Sequence, residues 1–539
     1  MPGEETQKSV FWADQIAEEI LTRKKFRFID KEIKKPDVFV VKTSASISGV
    51  LHIGRLSDSV RGEAVFRALK DKGVEAKIIW VAEDMDPLRK VPKGVPKEYE
   101  EYIGMPVSDI PDPWGCHDSY EEHHLSEYMK VLDKFIGADM EIYYMREEYK
   151  KGSFNPFIKK ALEKIDLIKQ ILNKYRTNPL PEGWSPWVPV CEKCGKIITP
   201  RVLGIENGKI HYVCQDYKFE KYTAKGCGHE GYADPLKGNG KLMWKSEWAA
   251  QWARWGVVSE GAGKEYQVPS SAFWVNAEIV ERVFDYPMPV PIFYEHIMID
   301  GEKMSASLGN VVYPKDWLEV ARPEILRYLY CKKLMKTRSF SWKNLPKLYD
   351  EFDNVAKIYY GLEKVENEKE LVHLKRLYEM SQVREILPYV PLPYSHAVVV
   401  SQVFKRIEDM LKSLERTGHY KEDVKDLIIE RLRHAKTWAE KYCPEARIEI
   451  KEKADFEGID EKTKEALIEF SKYLNGLDEK FDENEVFNKI KEICEEFNIQ
   501  PKEFFKSFYK AVLGKDRGPR ITTMLMALTP KKVAEVFQE

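Results

Sequence analysis

No stretch of this 539-residue chain approaches the roughly 18 uninterrupted apolar residues that a membrane-crossing helix needs, so no membrane partner is expected. Low-complexity tracts and repeats of fixed period are missing too, which excludes fibrous and solenoid architectures. Strong charge of either sign is lacking: the formal net charge is -2, and a near-neutral sum neither predicts nor excludes a nucleic-acid partner, because local patches of lysine and arginine decide that. Cysteine is scarce, with eight in the whole chain. That density excludes a disulfide scaffold, yet four of the eight fall between Cys191 and Cys227, a clustering that points to metal. The opening "MPGEETQKSVFWADQIAEEI" is acidic and amphipathic, unlike a secretory leader, and a cytoplasmic protein is expected.

What is present is an ordinary globular composition, 43% hydrophobic and 32% charged, in a chain long enough for roughly two to four domains. Trp12, Ala13, Ile16, Ala17, Ile20 and Leu21 recur at helical spacing. The run Val38 to Val41 reads as a strand, followed by a glycine-containing loop and a helix with Leu56, Val60, Ala64, Ala68 and Leu69 on one face. A second apolar run, Lys77 to Ala82, ends in "EDMD". Strand, loop, helix and strand make a βαβ unit with a parallel sheet buried on both faces. A charged helical stretch spans Phe157 to Tyr175, "RTNPLPEGWSPWVP" from Arg176 to Pro189 reads as a linker, and "PIFYEHIMI" from Pro291 to Ile299 reads as one core strand. Beyond Leu345 the pattern is helical, with "VFKRIEDMLKSL" and "DLIIERLRHAKTWAEKY" as amphipathic units.

The segment "SISGVLHIGRLSD", Ser46 to Asp58, sits at the junction of the first strand and its helix. A helix N-terminus carries unpaired N–H groups and partial positive charge, which suits phosphate. Gly49 clears the turn, Gly54 leaves a flat surface for an adenine, and His52 offers an imidazole to a phosphate oxygen. By itself the stretch fits a plain tight turn equally well. A second segment, "DGEKMSASLGN" from Asp300 to Asn310, is a hydroxyl-rich loop with one lysine, placed to meet charge developing on a phosphate.

Together "HIGR" and "KMSAS" resemble the HIGH and KMSKS signatures of class I aminoacyl-tRNA synthetases. "RKVPKGVP", "YIGMPVSDIPDPWGCHDSY", "GAGKEY", "KLYDEFD", "KYCPEA" and "LGKDRGPR", spread along the chain in order, are similar to the archaeal-type class I lysyl-tRNA synthetases. The resemblance implies an α/β Rossmann-type (HUP) catalytic domain with a zinc-binding insertion, plus an all-α C-terminal anticodon-binding domain. The corresponding boundaries are 1–185 and 237–345 for the two catalytic halves, 186–236 for the insertion and 346–539 for the helical domain. It implies activation of lysine with ATP and Mg2+, then transfer to the 2′-hydroxyl of the terminal adenosine of tRNA(Lys). His52, Lys303 and Ser305 would be catalytic, and the ATP site is expected to include Gly49, Gly54, Glu265, Met304 and Ser307, with Arg55 added for its charge near the phosphates. A monomer is favoured, with the oligomeric state open.

Several positions depart from the family pattern. Arg55 stands where a neutral residue or histidine is usual, and Ala306 replaces the second lysine of the loop, so Arg55 is expected to supply part of the missing charge. In the amino-acid pocket, Ser44 and Ser46 replace glycine and threonine, and Tyr266 replaces histidine. A lysine ammonium needs an anionic partner, because an unpaired buried charge is costly. Glu83, Asp84, Asp86, Glu247 and Glu295 are candidates, and Trp244, Trp248 and Tyr294 could wall the aliphatic stem. Two alternatives stay open: a synthetase of the same class for another amino acid, and a zinc-containing tRNA-binding paralogue without catalysis.

In the insertion, Cys191, Cys194, Cys214 and Cys227 can supply four sulfurs to a structural Zn2+, with His229 in place of Cys214 as the runner-up. Twelve residues separate Cys214 from Cys227, longer than a metal knuckle needs, so an insertion has opened that half. For tRNA the helical half offers "ERLRHAKTWAEKY" and the loop with Lys515, Arg517 and Arg520.

Overall fold

A computed structural model describes residues 9–47, 49–92, 94–304 and 310–538. They fall into two compact units, the first comprising 1–315, 326–340 and 367–386, the second 316–325, 341–366 and 387–539. The chain thus passes between units several times, where the sequence suggests one boundary at 345/346.

The first unit is built on a five-stranded sheet of β1 (Phe39–Ser46), β2 (Ala76–Glu83), β3 (Met140–Tyr144), β4 (Val257–Gly263) and β5 (Val290–Tyr294), in the order β5-β4-β1-β2-β3 with every neighbouring pair parallel. β1 is central, and its aliphatic residues Val40 and Val41 are buried as a strand covered on both faces requires. It runs through Ser46, five residues past the predicted end, because β2 pairs along its whole length. The chain leaves β1 toward β2 and β3, then returns on the other side through β4 and β5. This places a switch point at the carboxyl ends of β1 and β4, where open α/β sheets bind ligands.

Helix α1 (Trp12–Thr22) matches the predicted periodicity, and α2 (Ile53–Asp71) makes the β1–β2 crossover. A Cβ at Gly62 would lie 2.4 Å from Thr43 Cγ2, so glycine sets how closely α2 approaches β1. α3 (Trp244–Trp255) precedes β4 and carries three tryptophans into the core.

Three sequence expectations need correction. "PIFYEHIMI" is two strands: β5 ends at Tyr294, and Ile297–Ile299 joins a separate three-stranded sheet with Glu302–Lys303 and Arg338–Phe340. The polar pair Glu295 and His296 breaks the run between them. The stretch at 157–175 is two helices, Asn155–Glu163 and Ile165–Asn173. The presumed linker is core at its end: Trp187 is fully buried, and Trp187–Pro189 pairs antiparallel with Gly240–Leu242. Proline density there marks a constrained segment, and the indole buries it.

The second unit is helical among its described residues. Arg431, within the basic stretch suggested for RNA, is 5% exposed and forks onto both oxygens of Asp353 at 2.7 and 3.0 Å, so it serves the core.

Candidate active site

His52 caps α2. Its Nδ1 accepts the Gly54 N–H at 3.1 Å, which leaves the ring proton on Nε2. Burial, with the Arg55 charge adding to it, lowers the imidazole to about 4, so at neutral pH it is an uncharged hydrogen-bond donor. Arg55 itself is exposed in the first turn. Gly49 is half-buried, and among the described residues an added methyl there would meet Pro92 Cγ at 4.0 Å.

The second signature segment lies against the first. A Cβ at Gly54 would stand 2.9 Å from Met304 Cε and 2.7 Å from His52 Cε1. On the far side of the loop, Val312 accepts the Ile53 N–H at 2.9 Å. Both flanks of the lysine loop are therefore fastened to the turn that carries His52. Lys303 is exposed at the end of a short strand, and its carbonyl accepts from Asn310 Nδ2 at 3.1 Å. Ser305 and Ser307 lie outside the described residues. Burial opposes ionisation of Glu265, but its own N–H, His296 at 2.8 Å and the Lys303 charge outweigh this and hold the carboxyl below its ordinary value.

Beside this cleft is a buried polar network at the carboxyl ends of β1, β2 and β4. Ser46 Oγ donates to Asp86 at 2.9 Å. Lys241 Nζ meets Asp86 at 3.2 Å and Glu247 at 2.7 Å. Glu83 accepts from Gln251 Nε2 at 3.1 Å on each oxygen. Lys42 Nζ lies 2.6 Å from Glu260 and 3.8 Å from Glu83. The other Glu260 oxygen accepts from the Trp248 and Trp252 indoles. Trp244 stacks on Trp248 at 4.8 Å, and Tyr266 meets Trp248 edge-on at 5.4 Å. Burial raises Glu83 to about 8, against the pull of Lys42.

Of the expected pocket residues, the structure gathers Ser46, Glu83, Trp244, Trp248 and Tyr266. Ser44 is half-buried on β1 beside them. Tyr294 turns to Asp58, donating its hydroxyl at 3.0 Å, with Arg61 over its ring at 4.3 Å. Asp84 is spent elsewhere, accepting the Arg146 N–H at 2.8 Å where the helix Met145–Lys150 begins, and Glu295 pairs with Lys264 at 2.7 Å. The sequence reading missed Lys42, Glu260, Lys241 and Gln251. Lysine inside a buried β-strand was the available signal for the first.

The four insertion cysteines converge, their sulfurs all within 4.8 Å of one another, with Cys191–Cys227 at 3.7 Å and Cys194–Cys214 at 3.6 Å. Four sulfurs about 2.3 Å from a central zinc would be about 3.8 Å apart, so the donor set fits a tetrahedral ion. His229 bonds Glu192 at 2.7 Å, outside this cluster. A second cluster escaped the sequence reading: Asp112, Cys116, His117 and His123 also bring one donor atom each within 4.8 Å. Cys116 Sγ is 3.2 Å from both histidine Nδ1 atoms, and the Asp112 carboxylate is held by the N–H groups of Trp114, Cys116 and His117. Its signal was the D-x3-CH-x5-H spacing.

A parallel sheet with a histidine-capped first crossover and a lysine loop folded against it is the arrangement of a class I aminoacyl-tRNA synthetase. Residues 10–384 match the family profile described as "tRNA synthetases class I (K)", and 398–535 match that of an "Anticodon binding domain". The chain is 36% identical to the lysine–tRNA ligase of Pyrococcus furiosus, over 96% of this chain and 97% of that one. It is 32% identical to that of Methanosphaera stadtmanae (98% and 99%) and 35% identical to that of Thermococcus kodakarensis (96% and 97%). Among solved structures, a glutamate–tRNA synthetase from Elizabethkingia anophelis aligns at TM-score 0.38 and 13% identity, over 92% of this chain and 98% of that one. The chain belongs to the class I lysyl-tRNA synthetase family.

Proposed function

We propose that this protein is a lysine–tRNA ligase that forms lysyl-adenylate from lysine and ATP and then esterifies the terminal adenosine of tRNA(Lys). One observation carries the reading: the segment bearing Lys303 and Met304 is packed against the turn bearing His52 and Gly54, so two signatures distant in sequence share one cleft. The lysine carboxylate attacks the α-phosphorus of ATP and pyrophosphate leaves. No protein nucleophile is needed, and alignment and electrostatics supply the rate. His52, neutral and protonated on Nε2, donates to a phosphate oxygen, with Gly54 open to the adenine. Lys303 stabilises the departing pyrophosphate, with Ser305 and Ser307 as further donors, and Glu265 and Arg55 border the nucleotide. Mg2+ accompanies ATP and offsets phosphate charge. The 2′-hydroxyl of the tRNA then attacks the adenylate carbonyl and AMP leaves.

The substrate ammonium is held by Glu83, Asp86 and Glu247, three carboxylates that share the one cation Lys241 and so stay net negative when ionised, and Trp244, Trp248 and Tyr266 wall the stem. Glu260 is already neutralised by Lys42, which is the observation favouring a shifted amino-acid preference as the second reading. In both metal clusters all four positions are protein atoms, so we assign each a structural zinc with no open coordination site. Near the C-terminus, Lys462, Lys502, Lys506, Tyr509 and Arg517 border one groove, with Asp460, Glu503 and Asp516 also on its walls, and its net positive lining suits an RNA loop. No described helix is long and apolar enough to cross a membrane, and we place the enzyme in the cytoplasm as a monomer.

The test is ATP–pyrophosphate exchange across all amino acids, with and without tRNA(Lys). Lysine-dependent exchange is expected. Exchange with another amino acid and none with lysine would favour the second reading, and no exchange with any would overturn both.

A further inference from the structure

The segment between Cys214 and Cys227 is longer than a metal knuckle requires, since ligand pairs of this kind are closed by two to four residues. The extra residues form a hairpin. Tyr217–Lys218 pairs antiparallel with Thr223–Ala224, and the Phe219 N–H donates to the Tyr222 carbonyl at 2.8 Å. Its base is fixed to the cysteine module. Asp216 accepts from the Gly226 N–H at 2.9 Å and from Lys225 Nζ at 2.8 Å, the Gln215 N–H donates to the Thr199 carbonyl at 2.9 Å, and Ala224 is fully buried.

Its tip is the opposite. Tyr217 and Tyr222 are 43% and 36% exposed, and Phe219 meets Tyr217 edge-to-face at 5.0 Å. Lys218 and Lys221 are exposed, and neither has an ion-pair partner among the described residues. Exposed aromatic faces interleaved with unpaired lysines on a rigid base suit unstacked bases and their phosphates. Glu220, also exposed at the tip, offsets one of the two ammonium groups, so the tip keeps a net positive charge that a purely apolar partner would leave uncompensated.

The mounting places the hairpin on the side of the active site. Ala224 and Ile198 pack on Gly104, and the Gly104 and Met105 segment exchanges hydrogen bonds with Leu88, just beyond the carboxyl end of β2. That edge of the sheet is the one a tRNA must reach with its unpaired 3′ strand.

We propose that the hairpin 217–224 is an RNA-binding finger that grips the unpaired 3′ strand of the substrate tRNA, with Tyr217 and Tyr222 stacking on bases and Lys218 and Lys221 meeting phosphates. The proposal rests on the ligase reading above. Two double variants test it in the full-length enzyme, Tyr217→Ser/Tyr222→Ser and Lys218→Ala/Lys221→Ala. The first is expected to raise KM for tRNA roughly tenfold, the loss of one or two stacked bases, with kcat within about twofold. The second is expected to raise KM and to flatten the dependence of log KM on log salt by roughly 1.4, about 0.7 for each lost phosphate contact on a single strand. Fluorescence anisotropy should show that tRNA trimmed of its unpaired 3′ nucleotides binds wild type and variants alike.

Unchanged KM in both variants would overturn the proposal, as would equal weakening for intact and trimmed tRNA. A wild type that binds tRNA but never charges it with lysine would overturn the ligase reading instead. The anisotropy comparison would still decide the role of the hairpin.

Discussion

A methyl group at position 54 would stand within 3 Å of both His52 and Met304, at a point where the two signature segments meet. Gly54→Ala is therefore expected to displace the His52 ring, since the Met304 methyl can swing aside, and to cost at least tenfold in kcat/KM for ATP in pyrophosphate exchange, with the thermal midpoint almost unmoved. A second expectation concerns Glu83. Burial raises its carboxyl to about 8, so much of it is protonated at neutral pH, while an arriving ammonium favours the ionised form. Lysine affinity should then strengthen as pH rises from 6.5 to 8.5, with proton release on binding, both measurable by titration calorimetry in buffers of different ionisation enthalpy. An affinity that is flat or falls over that range would remove Glu83 as the ammonium's partner. At this scale the sequence was informative wherever a residue type is rare in its setting, as with His52 beside Gly54 and the four cysteines. It was silent on Asp84 against Glu83, because adjacent carboxylates look alike until the start of the helix Met145–Lys150 claims one of them.

Elements are held in register by a few buried charges. Arg327 bonds Glu63 on α2 and the carbonyls of Phe135, Met380 and Ser381. Arg327→Met leaves Glu63 buried without its cation, and breaking such a pair costs about 3–5 kcal/mol, read as a lower first transition in scanning calorimetry. The two proposed metal clusters would work in the same way on loops that have little apolar core: among the described residues, Cys191, Cys214 and Tyr212 form the buried centre of the cysteine module. Chelation is expected to lower that transition, and metal analysis should find two zinc ions per chain. Fewer than one would count against both assignments. Strand and helix positions were legible from periodicity, but "PIFYEHIMI" was not separable into two strands. Apolar runs do not reveal which sheet they join, and pairing partners far along the chain decide it.

For the whole molecule, the interleaving of the two units carries its own expectation. The segment 367–386 belongs to the first unit and includes the carbonyls that Arg327 binds and Arg376, which pairs with Asp14 at 2.8 Å. A fragment ending at 386 should therefore stay soluble with a cooperative transition, while one ending at 345 should aggregate, as size-exclusion chromatography and calorimetry would show. A soluble, cooperatively melting 1–345 would contradict this assignment.

From the order of its residues alone, the chain determined a parallel α/β half with a glycine-opened crossover, a four-cysteine module and a helical remainder. These are local properties, set by spacing, turn chemistry and donor type within a few tens of residues. Only the tertiary structure decided that Lys42 neutralises Glu260, that Asp112, Cys116, His117 and His123 close on one point, and that Met304 comes up beside Gly54. Those depend on which distant segments meet, and the meeting is settled by sheet order and packing, quantities that no short stretch of sequence contains.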